Sequence, residues 1–208
     1  NEVIFQALER LNTDMMAQND DLDQISEDFV DVTGNPQIEF RLAQYDNDGN
    51  CTSGITRTVS TLTYSGDDDV KDLVMWPRNK YLNVWICQSA LNGQAGGYTY
   101  RPNAVHNYPG IDGIVVRAAQ FGANQRTLTH EVGHYLNLPH CWGSTNTPGD
   151  PGNCSYDDGV SDTPLTIGNT TCNTSSVTCG SLDNVQNYME YSFCERMFTN
   201  GQKSRMHA

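Results

Sequence analysis

Thr129-His130-Glu131-Val132-Gly133-His134-Tyr135-Leu136-Asn137-Leu138-Pro139-His140 is the stretch from which the rest of the chain is best read. His130 and His134 are four residues apart, so on a helix they stand one turn above each other and two imidazoles can reach one metal ion. Glu131 lies beside that face. A carboxylate there is placed to act on a metal-held water as general base without being a ligand, the arrangement used in zinc hydrolysis. His140 is six residues beyond His134 and cannot share the face if the helix continues. The helix must therefore stop and turn back. Asn137, which tolerates the left-handed conformation, and Pro139 supply the stop signal. The competing reading is a buried histidine cluster or a closed structural zinc site with Cys141 as fourth ligand. Closed sites seldom place a Glu beside the first His and mostly use several thiolates, so the open, water-activating reading is favoured.

The chain changes texture on either side of this motif. Upstream, Val3, Ile4, Ala7, Leu8, Leu11 and Met15 recur at spacings of three and four, predicting an amphipathic helix over 2–16 that packs one face on a sheet. Residues 20–31 read as an acidic loop with a helical turn. Ile38, Phe40 and Leu42 alternate with polar residues and predict a half-buried strand over 38–45, with a second alternating segment over 56–63. Asp46-Asn47-Asp48-Gly49-Asn50 between them reads as a turn, because the twelfth position counted from Asp46 is Arg57 and not the Glu that a calcium-binding EF-hand loop needs. A short helix is expected over 70–76, ended by Pro77. The apolar runs 82–87 and 113–119 read as central strands. The Gly-rich segment 93–101, alternating through Tyr98 and Tyr100, reads as an edge strand with a bulge. Beyond Pro139, Gly, Pro, Asn, Asp, Ser, Thr and Cys dominate without a sustained period.

Composition narrows the function classes. Against 25 Asp and Glu there are 12 Lys and Arg, a net charge of -13, and such a field repels phosphate backbones and anionic headgroups. Nucleic acid is therefore not expected as a partner. No apolar run approaches the roughly 18 residues of a membrane-spanning helix, so no membrane span is expected. Seven cysteines in 208 residues, with Cys154, Cys172, Cys179 and Cys194 crowded together, favour an oxidising compartment and a secreted protein. Two bridges among those four allow three pairings. Cys51 and Cys141 are a further candidate pair, and Cys87 reads as a buried thiol. The sequence opens at Asn1 without an initiator Met or export signal and stops inside a helical pattern, so a propeptide or additional domains are expected outside it.

The motif resembles the extended zinc-binding signature HExxHxxGxxH of the metzincin metallopeptidases, with Asn137 in place of the usual Gly. Asn187-Tyr188-Met189-Glu190-Tyr191 and the string Phe198 to Met206 resemble the Met-turn and C-terminal helix of the pappalysin family, particularly its small microbial members of the ulilysin and mirolysin type. Asp46 to Arg57 and Asp158 to Pro164 are similar to that family as well. The resemblance implies a metzincin-type α+β fold. A mixed twisted sheet, a long backing helix and the active-site helix would form an N-terminal lobe over 1–137. A loop-rich, disulfide-stapled C-terminal lobe would cover 138–208, with the active-site cleft between the lobes of one catalytic domain.

The same resemblance implies zinc ligands His130, His134 and His140, general base Glu131, Met189 as the apolar floor beneath the zinc and Tyr191 near the metal as a transition-state donor. It implies the pairing Cys154 with Cys179 and Cys172 with Cys194. Relatives carry an apolar strand before their first long helix, and no such strand is found here. Asp157, Asp158, Asp162 and Thr163 offer clustered oxygen ligands, and the resemblance favours a structural calcium ion at Asp158, Asp162 and Thr163. A peptide substrate would be held by strand addition at Gly97 and Tyr98, with Ser192 and Phe193 walling the pocket after the scissile bond and Glu195 as the nearby acidic group. The expected function is a secreted zinc-dependent endopeptidase in which Glu131 activates the attacking water. A catalytically silent, zinc-stabilised binding or adhesion module of the same fold is the alternative, and the intact Glu131 speaks against it.

Overall fold

The computed structural model describes residues 1–208. In chain order its elements are helix α1 (Glu2–Met15), helix α2 (Glu27–Val30), strand β1 (Thr33–Gly34), strand β2 (Val84–Cys87), strand β3 (Gly97–Thr99), helix α3 (Pro102–Asn107), strand β4 (Ile114–Arg117), helix α4 (Thr127–Tyr135), strands β5 (Val177–Thr178), β6 (Ser181–Leu182) and β7 (Phe198–Thr199), and helix α5 (Asn200–Met206). In α1 the residues Ala7, Leu11 and Met15, spaced by four, are buried and Ile4 and Leu8 are half-buried, so most of the amphipathic stripe is covered, whereas Val3, at its start, is exposed like Phe5. The chain forms two compact units, residues 1–11 with 40–135, and residues 12–39 with 136–208.

The first unit is built on a three-stranded sheet in the order β2-β4-β3. Strand β4 is the centre, parallel to β2 with Val84 opposite Ile114, and antiparallel to β3 with Gly97 opposite Val116. Ile114, Val115 and Val116 are wholly buried, as a continuous apolar run in a strand covered on both faces requires. Strand β2 lies at the edge of this sheet, whereas its apolar run predicts a central position. Val84 and Ile86 accordingly stay more than a third exposed while Cys87 is buried. Helix α4 packs on β3 and β4.

Beneath β3 sits a buried cation. Lys71 has no exposed surface, and its Nζ donates to the Ile111 carbonyl at 2.6 Å and pairs with Asp68 at 2.9 Å. The same Nζ lies 4.9 Å from the ring centres of Tyr98 and Tyr100, whose hydroxyls both donate to Asp68. Burial lowers the Lys71 pKa against the opposing pull of Asp68, and burial raises the Tyr100 phenol to about 12. The charge is tolerated because each of its neighbours is an acceptor or a ring face.

Three expected elements of this unit differ from the sequence reading. Residues 38–45 form no strand, with only an isolated bridge from Tyr45 to Cys51: Ile38, Phe40 and Leu42 are half-buried and alternate with exposed Glu39 and Arg41. Alternation reports one-sided burial, which an extended segment shows whether or not a partner strand pairs with it. Segment 56–63 contains no strand, and Thr61–Tyr64 is a 3-10 turn in which the Leu62 amide donates to the Ser60 hydroxyl. The helical turn expected over 70–76 falls at Asp68–Asp72, because Asp67 caps it earlier. Asp46 to Asn50 is a turn in which Asp46 Oδ1 accepts the backbone N–H groups of Asp48 and Asn50.

The second unit has little regular structure: β1 pairs antiparallel with β7, and β5 with β6 in a hairpin. Disulfides Cys154–Cys179 and Cys172–Cys194 close loops in it, each of a length at which cross-linking stabilises by about 3 kcal/mol. Cys51, Cys87 and Cys141 are all thiols, so the Cys51–Cys141 pair is absent. Trp142, Tyr188, Met189 and Phe198 fill the interior, and Ile25, Phe29 and Met197 form a second cluster. Helix α5 begins with a capping box in which Thr199 and Gln202 satisfy each other's amides.

Candidate active site

Helix α4 carries the first two histidines. Their rings lie edge to face with centres 4.7 Å apart, the outcome of an i, i+4 spacing on one face. Leu128, Val132 and Gly133 anchor the helix from its buried side. Glu131 is also on that side, only 6% exposed, and burial pushes its carboxyl up to about 8. Gly97 of β3 explains how the carboxylate arm fits there. A β-carbon at Gly97 would stand 3.1 Å from Glu131 Cγ and 3.0 Å from the Val115 carbonyl, so a larger residue there would force these neighbours to give by a few tenths of an ångström.

The helix stops at Tyr135 and Asn137 takes φ 74, the left-handed conformation expected of it. Arg205 Nε donates to the Asn137 carbonyl at 2.8 Å, satisfying an acceptor that the helix end leaves open. After the wholly buried Leu138 the chain delivers His140, and the ligand nitrogens of His130, His134 and His140 lie within 4.8 Å of one another. Three imidazoles suit a zinc ion and leave its fourth position open.

The surroundings of His140 are aromatic. Its ring stacks on Trp142 with centres 4.2 Å apart and planes 5° from parallel, and Tyr191 stands edge-on to both rings. Tyr191 is more than a third exposed, and its hydroxyl donates to Asn146 Oδ1 at 2.8 Å. Met189 is wholly buried, and its carbonyl accepts from Cys141 N, one residue beyond the third histidine. Its own amide donates to Asn187 Oδ1, and Asn187 and Gln202 exchange two side-chain hydrogen bonds at 2.9 and 3.0 Å. This buried amide pair ties the 187–191 turn to helix α5.

The remaining expected site residues divide. Phe193 is 77% exposed, available to a ligand. Tyr98 is not: its ring is buried and its hydroxyl is held by Asp68, so only main chain at this strand could meet a substrate. Asp158 and Thr163 come together, with Thr163 Oγ1 2.8 Å from both carboxylate oxygens and 2.7 Å from the Val160 carbonyl. Asp162 departs from that group. Its two oxygens accept from Thr199 Oγ1 and Gly201 N and so cap helix α5. Trp142 is a ring partner of a metal-ligand candidate. Thr145, Asn146 and Asn153 carry no sequence signal, since what they contribute is a carbonyl or amide in a loop.

The model of the family described as pregnancy-associated plasma protein-A, a peptidase family, matches residues 63–208. An extracellular metalloprotease of Arthroderma otae is 32% identical over 184 residues, which cover 81% of this chain and 62% of that protein. One from Neurospora crassa is 34% identical over 146 residues, 61% of this chain and 47% of that protein. The chain thus spans under two thirds of the length of these curated relatives. Among solved structures, mature mirolysin of Tannerella forsythia in complex with a cleaved peptide superposes with a TM-score of 0.83 at 34% identity, over 99% of this chain and 82% of that one. Promirolysin of the same organism matches equally well, over 98% of this chain and 72% of that one. With its histidine triad formed and a family match running from residue 63 to the end, the chain belongs to the pregnancy-associated plasma protein-A family of peptidases, in the metzincin fold of mirolysin.

Proposed function

We propose that this chain is the catalytic part of a secreted zinc-dependent endopeptidase, with His130, His134 and His140 as ligands and Glu131 as general base. The gathering of three imidazoles from residues 130–140, with a buried carboxylate directly after the first, is the observation that carries the reading. When bound, zinc supplies a polarised carbonyl and an acidified water. Glu131 takes the proton from the attacking water and delivers it to the amine nitrogen as the C–N bond breaks. Burial favours its neutral form, which makes it a competent acid in the second step. Tyr191 donates to the developing oxyanion, a contribution of about 3 kcal/mol for a single donor, and must leave Asn146 to do so.

An extended peptide adds to the free edge of β3. Arg117 N donates to the Gly96 carbonyl, so by antiparallel alternation Tyr98 bonds inward to Val115 while Gly97 and Thr99 turn their N–H and C=O groups outward. Mirolysin with its cleaved peptide supports a peptide substrate, and promirolysin supports a propeptide that is removed. The extracellular relatives and the two disulfides support secretion. The oxygens of Asp158, Thr163 and Val160 are proposed to hold calcium, and a melting temperature indifferent to a calcium-selective chelator would remove that assignment. The test of the main reading is Glu131→Gln, which is expected to abolish cleavage of a denatured protein while one zinc stays bound. Undiminished cleavage would refute it.

A further inference from the structure

The carbonyl oxygen of Thr145 is an acceptor on which two stacked rings converge. Trp142 Nε1 donates to it at 2.9 Å, and Nδ1 of His140 lies 3.4 Å from the same atom. A carbonyl has two lone pairs and can take both N–H groups at once, which fixes the parallel planes of the pair. A proton carried at Nδ1 and donated to this carbonyl would leave the Nε2 lone pair for a metal.

The carbonyl is itself held in place. Thr145 Oγ1 donates to Asn153 Oδ1 at 2.8 Å, and Asn153 Nδ2 donates to the carbonyls of Thr147 at 2.9 Å and Ile167 at 2.8 Å. Asn153 is 1% exposed and adjoins Cys154, which is bridged to Cys179. Residues 144, 146 and 147 are exposed, so the loop has little apolar burial to set its course. One buried amide replaces a core for this loop, with all its bonds local.

We propose that Asn153 and Thr145 are positioning residues for His140. The Asn153 amide fixes the Thr145 carbonyl, and the carbonyl fixes the tautomer and plane of the third zinc ligand. The inference rests on the zinc assignment above. Both act through His140, so their effect belongs in metal affinity as well as in turnover.

The test measures zinc affinity by competition with a chelating dye, and the visible spectrum of the cobalt(II)-substituted protein, in Thr145→Val, Thr145→Ser and Asn153→Ala. Loss of an outer-shell partner of a metal-bound imidazole weakens binding by about 10- to 100-fold, and Thr145→Val and Asn153→Ala are expected to do so and to shift the cobalt bands. Thr145→Ser keeps the hydroxyl and is expected within about twofold of wild type. Thr145→Val is nearly isosteric, so it decides the matter even if Asn153→Ala does not fold. Wild-type zinc affinity and cobalt spectrum in Thr145→Val would overturn the proposal, as would a Thr145→Ser variant as weak as Thr145→Val. Wild-type protein that takes up no zinc would instead overturn the ligand assignment on which the proposal rests.

Discussion

Glu131 and Gly97 are fitted to each other: the Cγ of the acid lies 3.1 Å from where a β-carbon of the strand residue would stand. The Val115 carbonyl at 3.0 Å and Thr127 Cγ2 at 3.1 Å close the other sides, so a methyl group at 97 cannot avoid the carboxylate arm by moving away from it. Gly97→Ala is therefore expected to push the carboxylate arm by a few tenths of an ångström and, on the proposed role of Glu131, to lower kcat by about 10-fold with zinc still bound. Steady-state kinetics with a zinc determination check this, and unchanged kcat would show that Glu131 tolerates the shift.

Glu190 is buried beside Met189. Its Oε2 accepts from Asn169 N, Oε1 has no hydrogen-bond partner, and burial pushes its carboxyl up to about 8. Between the ordinary value of 4.5 and about 8 the folded protein binds a proton that the unfolded chain releases. Stability from this group is therefore present below 4.5 and lost as pH rises through 8. Glu190→Gln is expected to match wild type near pH 5 and to exceed it near pH 9, by an amount on the order of a few kcal/mol. Urea midpoints across that range are the measurement, and parallel profiles would contradict it.

Asn137 at φ 74 occupies a conformation that glycine adopts without strain. Its carbonyl, which receives Arg205, is main chain and survives substitution. Asn137→Gly is expected to stabilise by about 0.5 kcal/mol, seen as a rise of ~1–2 °C in melting temperature.

Asp162 caps helix α5 through Thr199 and Gly201. Asp162→Ala is expected to cost about 2 kcal/mol in denaturant unfolding, and added calcium should not restore it. Restoration by calcium would return Asp162 to the cation group.

The legible parts of this protein are those whose signal is local. An i, i+4 histidine pair, an Asn before the turn at 137 and an apolar run at 113–119 each announce their structure through a period or a backbone preference. The strand reading of 38–45 fails because alternation encodes which side is buried and says nothing of pairing. The rank of β2 as an edge is hidden because it depends on what lies beside it. Tyr98 points inward because Asp68, thirty residues earlier, waits for its hydroxyl. The Thr145 carbonyl is invisible for a simpler reason: every residue has one, and only the fold decides which is used.

The cation under β3 has a consequence for specificity. A slip of one residue along β4 would turn Tyr98 to solvent and leave Lys71 and Asp68 facing Gly97 and Thr99, with no ring faces and no phenols to meet them. Mis-registered states of this strand are thus penalised by a stranded charge rather than by a lost methyl contact. An unpaired edge that cannot drift presents the same two residues on every occasion, so a peptide added there, as proposed, would meet one alignment with respect to Glu131.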